Sequence, residues 1–257
     1  MTDAAVAGSA AKISSRWFYA WMALTCMAIA VLGFMPTYFA PMVQGAFVAP
    51  PIVHIHGLIF FAWTALFCTQ TWLVASGGTL AHRTWGMLGI AIATAMIFSV
   101  LATLVVRANE GEALGIAPAI RTFAWVQVGG MLFFGVVFIL AIANLKKSEM
   151  HKRLMLLGTI SLLDAPIARW FITFLAPPVA PGAPPAVPPV AVTIPPALVA
   201  DLLLVAAIVY DWRTRGRPHP VYLVGGAVLL AYQLTRPLIA ESAAWQSIAL
   251  WLQGLGG

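Results

Sequence analysis

Two histidines at the start of apolar segments are the residues whose types and spacing most directly suggest chemistry. His82 is followed by Arg83, and His151 is followed by Lys152 and Arg153. Imidazole is a common metal ligand and a common axial ligand of haem iron, so two histidines at equivalent depth could hold one iron between them. The basic neighbours would suit haem propionates. The alternative is that this cluster meets lipid head groups at the membrane surface.

The two segments that begin with His82 and His151 have similar sequences. Residues 82–89 are HRTWGMLG, and residues 151–158 are HKRLMLLG. Both are predicted to open a helix on the same side of the membrane, and Gly89 and Gly158 would allow a helix or a flat ligand to approach closely. The competing explanation of this similarity is that both segments carry residues common at the start of a helix.

A second pair of histidines opens another apolar segment, in the sequence IVHIHG at 52–57. Residues two apart on a helix point in nearly opposite directions, so His54 and His56 are not expected to face the same partner. His56, which precedes Gly57, is the better candidate to face the interior of the protein.

Further polar residues lie in or beside apolar segments at the end of the bundle where His56 is expected. They are Arg107, Arg121, Asp164, Arg169, Asp201, Gln233 and Arg236. A charge at the centre of a bilayer costs at least about 2.5–3.5 kcal/mol, so such groups normally face a bundle interior and have partners. Asp164 is expected to pair with one of three arginines: Arg121, Arg169 or Arg236. The cluster would either attract an anionic or carbonyl-bearing ligand or fasten the helices as an ion-pair network, and the sequence leaves both open.

The amino-acid composition indicates that these groups are positioned by a membrane protein. The chain has 257 residues, of which 61% are hydrophobic and 9% charged, whereas soluble domains carry roughly 25% charged residues. The net charge is +6, and most of the basic residues lie in short loops, which excludes nucleic acid as a partner and points to the lipid bilayer. Cys26 and Cys68 both lie in apolar segments, so a disulfide framework is not expected.

The expected fold class is an all-α, polytopic transmembrane helix bundle of about seven spans. A cytoplasmic segment, 1–16, precedes a transmembrane bundle at 17–240. The spans are predicted near 17–34, 52–75, 86–106, 123–143, 154–175, 198–210 and 221–239. Pro166 should break the fifth span beside Asp164 and make it the wall of a site.

The loop charges orient the bundle. Ten Lys and Arg residues fall on one side and four on the other, which predicts a cytoplasmic N-terminus and an external C-terminus. The expected location is a bacterial inner membrane. The stretch 177–196 holds nine prolines and no charge, so it is predicted to be an external, extended loop. The tail, 241–257, either lies in the membrane interface or extends the last span.

The motifs HIHG at 54–57, HRTWG at 82–86 and HKRLM at 151–155 resemble those of a group of bacterial multi-pass membrane proteins with H-x-H, H-R-x-x-G and H-K-R-L-M signatures. The resemblance covers about half of the chain. More distantly, the histidines at helix ends resemble those of transmembrane b-type cytochromes and of small assembly proteins of haem-copper oxidases. This resemblance implies haem b and electron transfer across the bilayer. The chain departs from the cytochromes because its fourth segment has no histidine, so only an inner haem on His82 and His151 is implied.

Three classes of function follow from these residues. The first is a b-type-cytochrome-like protein that exchanges electrons with quinone or another acceptor near His56 and Asp164. The second is a transporter or binding protein with a small-ligand or proton site at the Asp and Arg cluster. The third is a structural or assembly subunit. The sequence identifies no catalytic residues and leaves open whether the protein is an enzyme.

Overall fold

The computed structural model describes residues 3–177 and 186–256, and it describes side chains from residue 17 onward. The described residues form helices and turns without a β-strand. Seven helical stretches are long and apolar enough to cross a membrane, so the prediction of an all-α polytopic bundle of seven spans is confirmed.

The first three spans extend beyond their apolar centres. The first span (Trp17–Val43) comprises the part of α1 (Asp3–Phe34) from Trp17 onward, a π-helical turn (Met35–Phe39) and α2 (Ala40–Val43). The next two spans are α3 (Pro51–Ala75) and α4 (Thr79–Glu112). The remaining helices are α5 (Ala117–Ala143), α6 (Ser148–Ile160), α7 (Asp164–Phe174), α8 (Ile194–Arg215), α9 (Pro220–Ala240) and α10 (Ala243–Gly254).

The fifth span is broken where the sequence predicts a break. It consists of α6 and α7, joined by a tight turn in which the backbone nitrogens of Leu162 and Leu163 donate to residues three positions earlier. Pro166 lies in the first turn of α7, where a missing N–H is tolerated. Because α7 restarts at Asp164, this carboxylate lies at the break in the span.

The broken span is also the centre of the bundle. The side chains of α6 from Arg153 to Ile160 are almost all buried, and α6 packs against α1, α5, α8 and α9. By contrast, large apolar side chains such as Leu58, Phe98 and Leu132 are exposed. An apolar exterior is what a bilayer requires, because lipid rather than water surrounds the spans.

Most spans extend beyond their predicted boundaries, and two of these differences have a clear physical cause or consequence. The sixth span begins near Val190 rather than residue 198, because a 3-10 turn (Val190–Thr193) leads into α8 and the two prolines after Ile194 occupy its first turn, where proline is favoured. The predicted external loop therefore ends earlier than 196, and its residues 178–185 lie outside the described residues. The third span begins at Thr79 rather than residue 86, so His82 lies within α4.

The tail does not extend the last span. Ser242 ends the continuity of α9 and caps a separate helix, α10, by accepting a hydrogen bond from the Trp245 backbone nitrogen. The helix packs against α4 and α5. Trp245 is buried, whereas Trp251 is exposed.

Candidate functional site

His82 and His151 lie side by side at one end of the bundle, which we call the basic end because it carries Arg83, Lys152 and Arg213. Each histidine is the fourth residue of its helix, α4 or α6. Their ring centroids are 6.4 Å apart and their planes are inclined by 75°. A metal bonded to one nitrogen of each ring at about 2.0–2.1 Å fits this separation.

The hydrogen bonds of the two rings place their protons on different nitrogens. His151 donates from Nδ1 to the Ala141 carbonyl oxygen at 2.9 Å. With the Gln70 amide oriented to satisfy its neighbours, its nitrogen donates to His82 Nδ1 and to the His82 carbonyl oxygen. The Nε2 lone pair is therefore free on His151, whereas the neutral His82 ring carries its proton on Nε2. His82 would bind a metal through Nε2 only if the Gln70 side chain turned so that its oxygen accepted from Nδ1–H. A backbone carbonyl that fixes Nδ1–H is typical of a metal-binding histidine.

The basic residues beside these histidines have other partners. Arg153 donates from Nε and Nη2 to both oxygens of Asp211, at 2.8 and 2.5 Å, and from Nη1 to Glu149. Lys152 donates to Glu149 at 2.6 Å, and Arg83 is exposed. The separation of the two imidazoles suits the axial ligands of a haem, and the hydrogen bonds of His151 agree with that role, whereas those of His82 do not. Arg153 does not fit as a propionate partner because all of its nitrogens are engaged.

The other two predicted histidines have separate surroundings. His56 donates from Nδ1 to Ser99 Oγ at 3.1 Å, because the Ser99 hydroxyl hydrogen is directed to the Met96 carbonyl. The Nδ1 of His54 is hydrogen-bonded to the Tyr38 hydroxyl at 2.9 Å. As their spacing predicts, the two rings engage different partners.

At the opposite end of the bundle, four polar side chains from three helices meet. Arg236 on α9 donates from Nη2 to Asp164 on α7 at 2.6 Å, and its guanidinium lies 4.6 Å from the centre of the Tyr232 ring. One turn earlier on α9, the Gln233 side-chain nitrogen donates to Asp201 on α8 at 3.3 Å. We call Asp164, Asp201, Gln233 and Arg236 the far-end cluster.

The far-end cluster is buried and incompletely paired. Arg236 is 1% exposed and Gln233 is 2% exposed. Among the described residues, no group hydrogen-bonds to Nε or Nη1 of Arg236 or to Oε1 of Gln233. Buried polar groups are normally satisfied, and an unsatisfied one loses about 1–3 kcal/mol or more when charged. This concentration of unpaired groups is therefore the feature to explain.

The remaining predicted arginines lie elsewhere. Arg121 donates to Glu112 at 3.1 Å and to Gln253 of α10 at 2.6 Å. The Arg169 guanidinium lies 5.6 Å from the centre of the Phe34 ring. Of the three arginines considered as partners of Asp164, the structure pairs it with Arg236.

The partner of Arg153, Asp211, was not predicted from the sequence, because it lies just beyond the predicted end of the sixth span at residue 210. An acid at the end of an apolar helix is nevertheless a signal of a buried pair. The unpaired amide oxygen of Gln233 carries no sequence signal, because it depends on the position of Asp201 on another helix.

The sequence matches no protein-family model, no curated protein and no solved structure. The site must therefore be judged on its own geometry and chemistry.

Proposed function

We propose that this multi-pass membrane protein binds and carries a small carboxylate-bearing ligand at the far-end cluster. The unpaired donors of Arg236 are the observation that carries this proposal. A carboxylate accepts hydrogen bonds from guanidinium groups with favourable geometry. We place the protein in a bacterial inner membrane. The charge asymmetry of the loops supports an orientation with the basic end in the cytoplasm, so the ligand would bind nearer the outer surface.

A comparison of two buried arginines separates this proposal from a purely structural ion-pair network. Arg153 is 2% exposed, and every one of its side-chain nitrogens donates a hydrogen bond. Arg236 is equally buried, yet only Nη2 has a hydrogen-bond partner among the described residues. A pair that only fastens helices would be expected to resemble Arg153. The unpaired nitrogens of Arg236 favour a site that a ligand completes.

Within this site each residue has a distinct role. Arg236 would donate to an oxygen of the ligand, and Asp164 would hold the guanidinium in place. Asp164 retains 18% side-chain exposure, so the approach to Arg236 lies on its side of the cluster. The break between α6 and α7 frees backbone at this level, which membrane proteins tolerate where the backbone lines a cavity or is buried in protein.

A thermal-shift experiment tests the proposal. The purified protein in mild detergent would be titrated with sodium acetate, propionate and lactate, and at least one should raise the melting temperature. The double variant Asp164→Asn/Arg236→Gln, which removes both charges and so avoids an unpaired buried ion, should abolish the shift. Arg107→Gln, an exposed arginine paired with Glu110, is the matched control and should retain it. Absence of any shift in the wild-type protein, or a shift that survives in the double variant, would overturn the proposal.

A second proposal rests on the paired imidazoles of His82 and His151, which would ligate haem b in an electron-transfer protein. His82 would do so once the Gln70 side chain turned to accept from its Nδ1–H. The haem would supply reversible one-electron chemistry, and the protein would fix its ligation and position. An apolar groove of about 450 Å³ between α4 and α5 includes Ile90 and Phe138 in its lining and would suit the tail of a quinone. Protein produced with added haem precursor should show a Soret band that His151→Ala removes. A colourless protein that stays colourless after haem is added would exclude this function.

A further inference from the structure

Gln233 adds a requirement that a simple carboxylate does not meet. Its amide nitrogen donates to an oxygen of Asp201, and a carboxylate oxygen can only accept. This contact fixes the orientation of the amide, so Oε1 is the atom that faces away from Asp201. That oxygen is buried and unpaired among the described side chains, and a buried acceptor needs a donor.

The unpaired acceptor and the unpaired donors lie on one helix face. Gln233 and Arg236 are three residues apart on α9, and side chains at this spacing have Cβ atoms about 5–6 Å apart. One small molecule can therefore reach both. It must accept hydrogen bonds at one position, for Arg236, and donate a hydrogen bond at a neighbouring position, for Gln233.

We infer that the ligand of the far-end cluster is a hydroxy-carboxylate, and that Gln233 is the residue that distinguishes it from the same acid without the hydroxyl. The inference rests on the proposed function, since it presumes that a carboxylate binds at Arg236. The hydroxyl group donates to Gln233 Oε1 while the carboxylate accepts from Arg236. A site built to bond a substrate hydroxyl rejects the analogue that lacks it, because the buried polar group is then left without a partner.

The other polar groups that contact Arg236 and Gln233 already have partners, which leaves the ligand to these two residues. Asp164 already accepts from Arg236, and Asp201 already accepts from Gln233. The Tyr232 hydroxyl donates to the Val126 carbonyl at 2.7 Å. The unpaired atoms of Arg236 and Gln233 are therefore the groups in this cluster that a ligand with both an acceptor and a donor would satisfy.

Isothermal titration of the full-length protein in detergent, with sodium lactate and sodium propionate as probes, tests the inference. The two acids differ by one hydroxyl, and lactate should bind at least about tenfold more tightly. Gln233→Met, which keeps a similar volume without an acceptor, should weaken lactate binding to the level of propionate and leave propionate binding unchanged. Gln253→Met, outside the cluster, is the control and should preserve the preference for lactate.

The outcomes separate the two ideas. Equal affinity of the wild-type protein for lactate and propionate would overturn the role of Gln233, while binding that depends on Arg236 would leave the proposed function intact. Binding of neither acid would overturn both. The wild-type comparison decides the matter even if Gln233→Met fails to fold.

Discussion

Arg153 and Asp211 form a bidentate ion pair that is buried at the basic end of the bundle. The two side chains are 2% and 1% exposed, and two nitrogens of the guanidinium each donate to a separate carboxylate oxygen. Asp211 also accepts from the backbone nitrogen of His219, which precedes α9. The pair therefore ties α6, α8 and the start of α9 together.

Removing one member of this pair should destabilise the protein strongly. Asp211→Asn leaves the Arg153 charge buried with only Glu149 as a carboxylate partner, and breaking a buried pair costs about 3–5 kcal/mol. The double variant Arg153→Met/Asp211→Leu should recover most of this loss, because a packed apolar pair of similar volume is close to neutral. Unfolding in mixed detergent and denaturant measures both. A double variant less stable than Asp211→Asn would contradict the argument.

A small residue is required where α1 crosses the break in the fifth span. A Cβ atom added at Gly33 would lie 2.5 Å from the Cβ and carbonyl oxygen of Pro166. Backbone cannot yield as a flexible side chain can, so Gly33→Ala should lower the unfolding free energy by about 1–3 kcal/mol. Gly57 is the matched control: it is also helical, and nothing lies within 4 Å of an added Cβ. Gly57→Ala should be neutral or stabilise by up to about 1 kcal/mol. Equal effects of the two changes would refute the close approach of α1 to α7.

Packing of α10 against the bundle should depend on one of its tryptophans. Trp245 is 4% exposed, and its ring nitrogen donates to the Arg121 carbonyl at 2.9 Å. Trp245→Ala should cost about 3–5 kcal/mol, as buried aromatic truncations do. Trp251, which is 64% exposed, is the control, and Trp251→Ala should have a much smaller effect. Protease accessibility of the last 15 residues gives an independent measurement and should rise only for Trp245→Ala.

Lowering the pH should destabilise the folded protein through protonation of His219, which lies in the loop before α9. Burial lowers the pKa of His219 below its usual value of 6.5, and the nearby cations of Arg153 and Arg215 lower it further. The unfolded chain then binds the proton more readily, so stability increases with pH. The contribution of neutral His219 to the free energy of unfolding is fully present above pH 6.5, the pKa in the unfolded chain. It is lost as the pH falls from there through the lower pKa of the folded state.

Protonation of His219 would also remove a helix cap, because its Nδ1 accepts from the Val221 backbone nitrogen at 3.1 Å. Asparagine caps helices without titrating. His219→Asn should therefore show a smaller drop in melting temperature between pH 7.5 and pH 5 than the wild-type protein. An identical drop in both proteins would show that other groups cause the acid sensitivity.

The number of spans was predictable because hydropathy is a local property, although several helices extend beyond the predicted boundaries. An apolar stretch of about 20 residues must cross the bilayer as a helix whatever lies beside it. The same reasoning predicted a break beside Asp164, since a proline in the interior of a helix removes a hydrogen bond, and the structure starts a new helix there with Pro166 in its first turn. The early start of α8 was missed because its two prolines occupy the first turn of the helix, where they favour rather than oppose it.

The sequence alone determined that seven apolar helices would enclose a few polar side chains, because those side chains could not be left in lipid. It did not determine which of them would meet. Asp164 had three candidate arginines, and only the order and rotation of the helices in the bundle selected Arg236. The same tertiary arrangement gave every side-chain nitrogen of Arg153 a partner and left Nε and Nη1 of Arg236 without one among the described residues. Partner choice depends on contacts between helices distant in sequence, whereas insertion depends on each helix by itself.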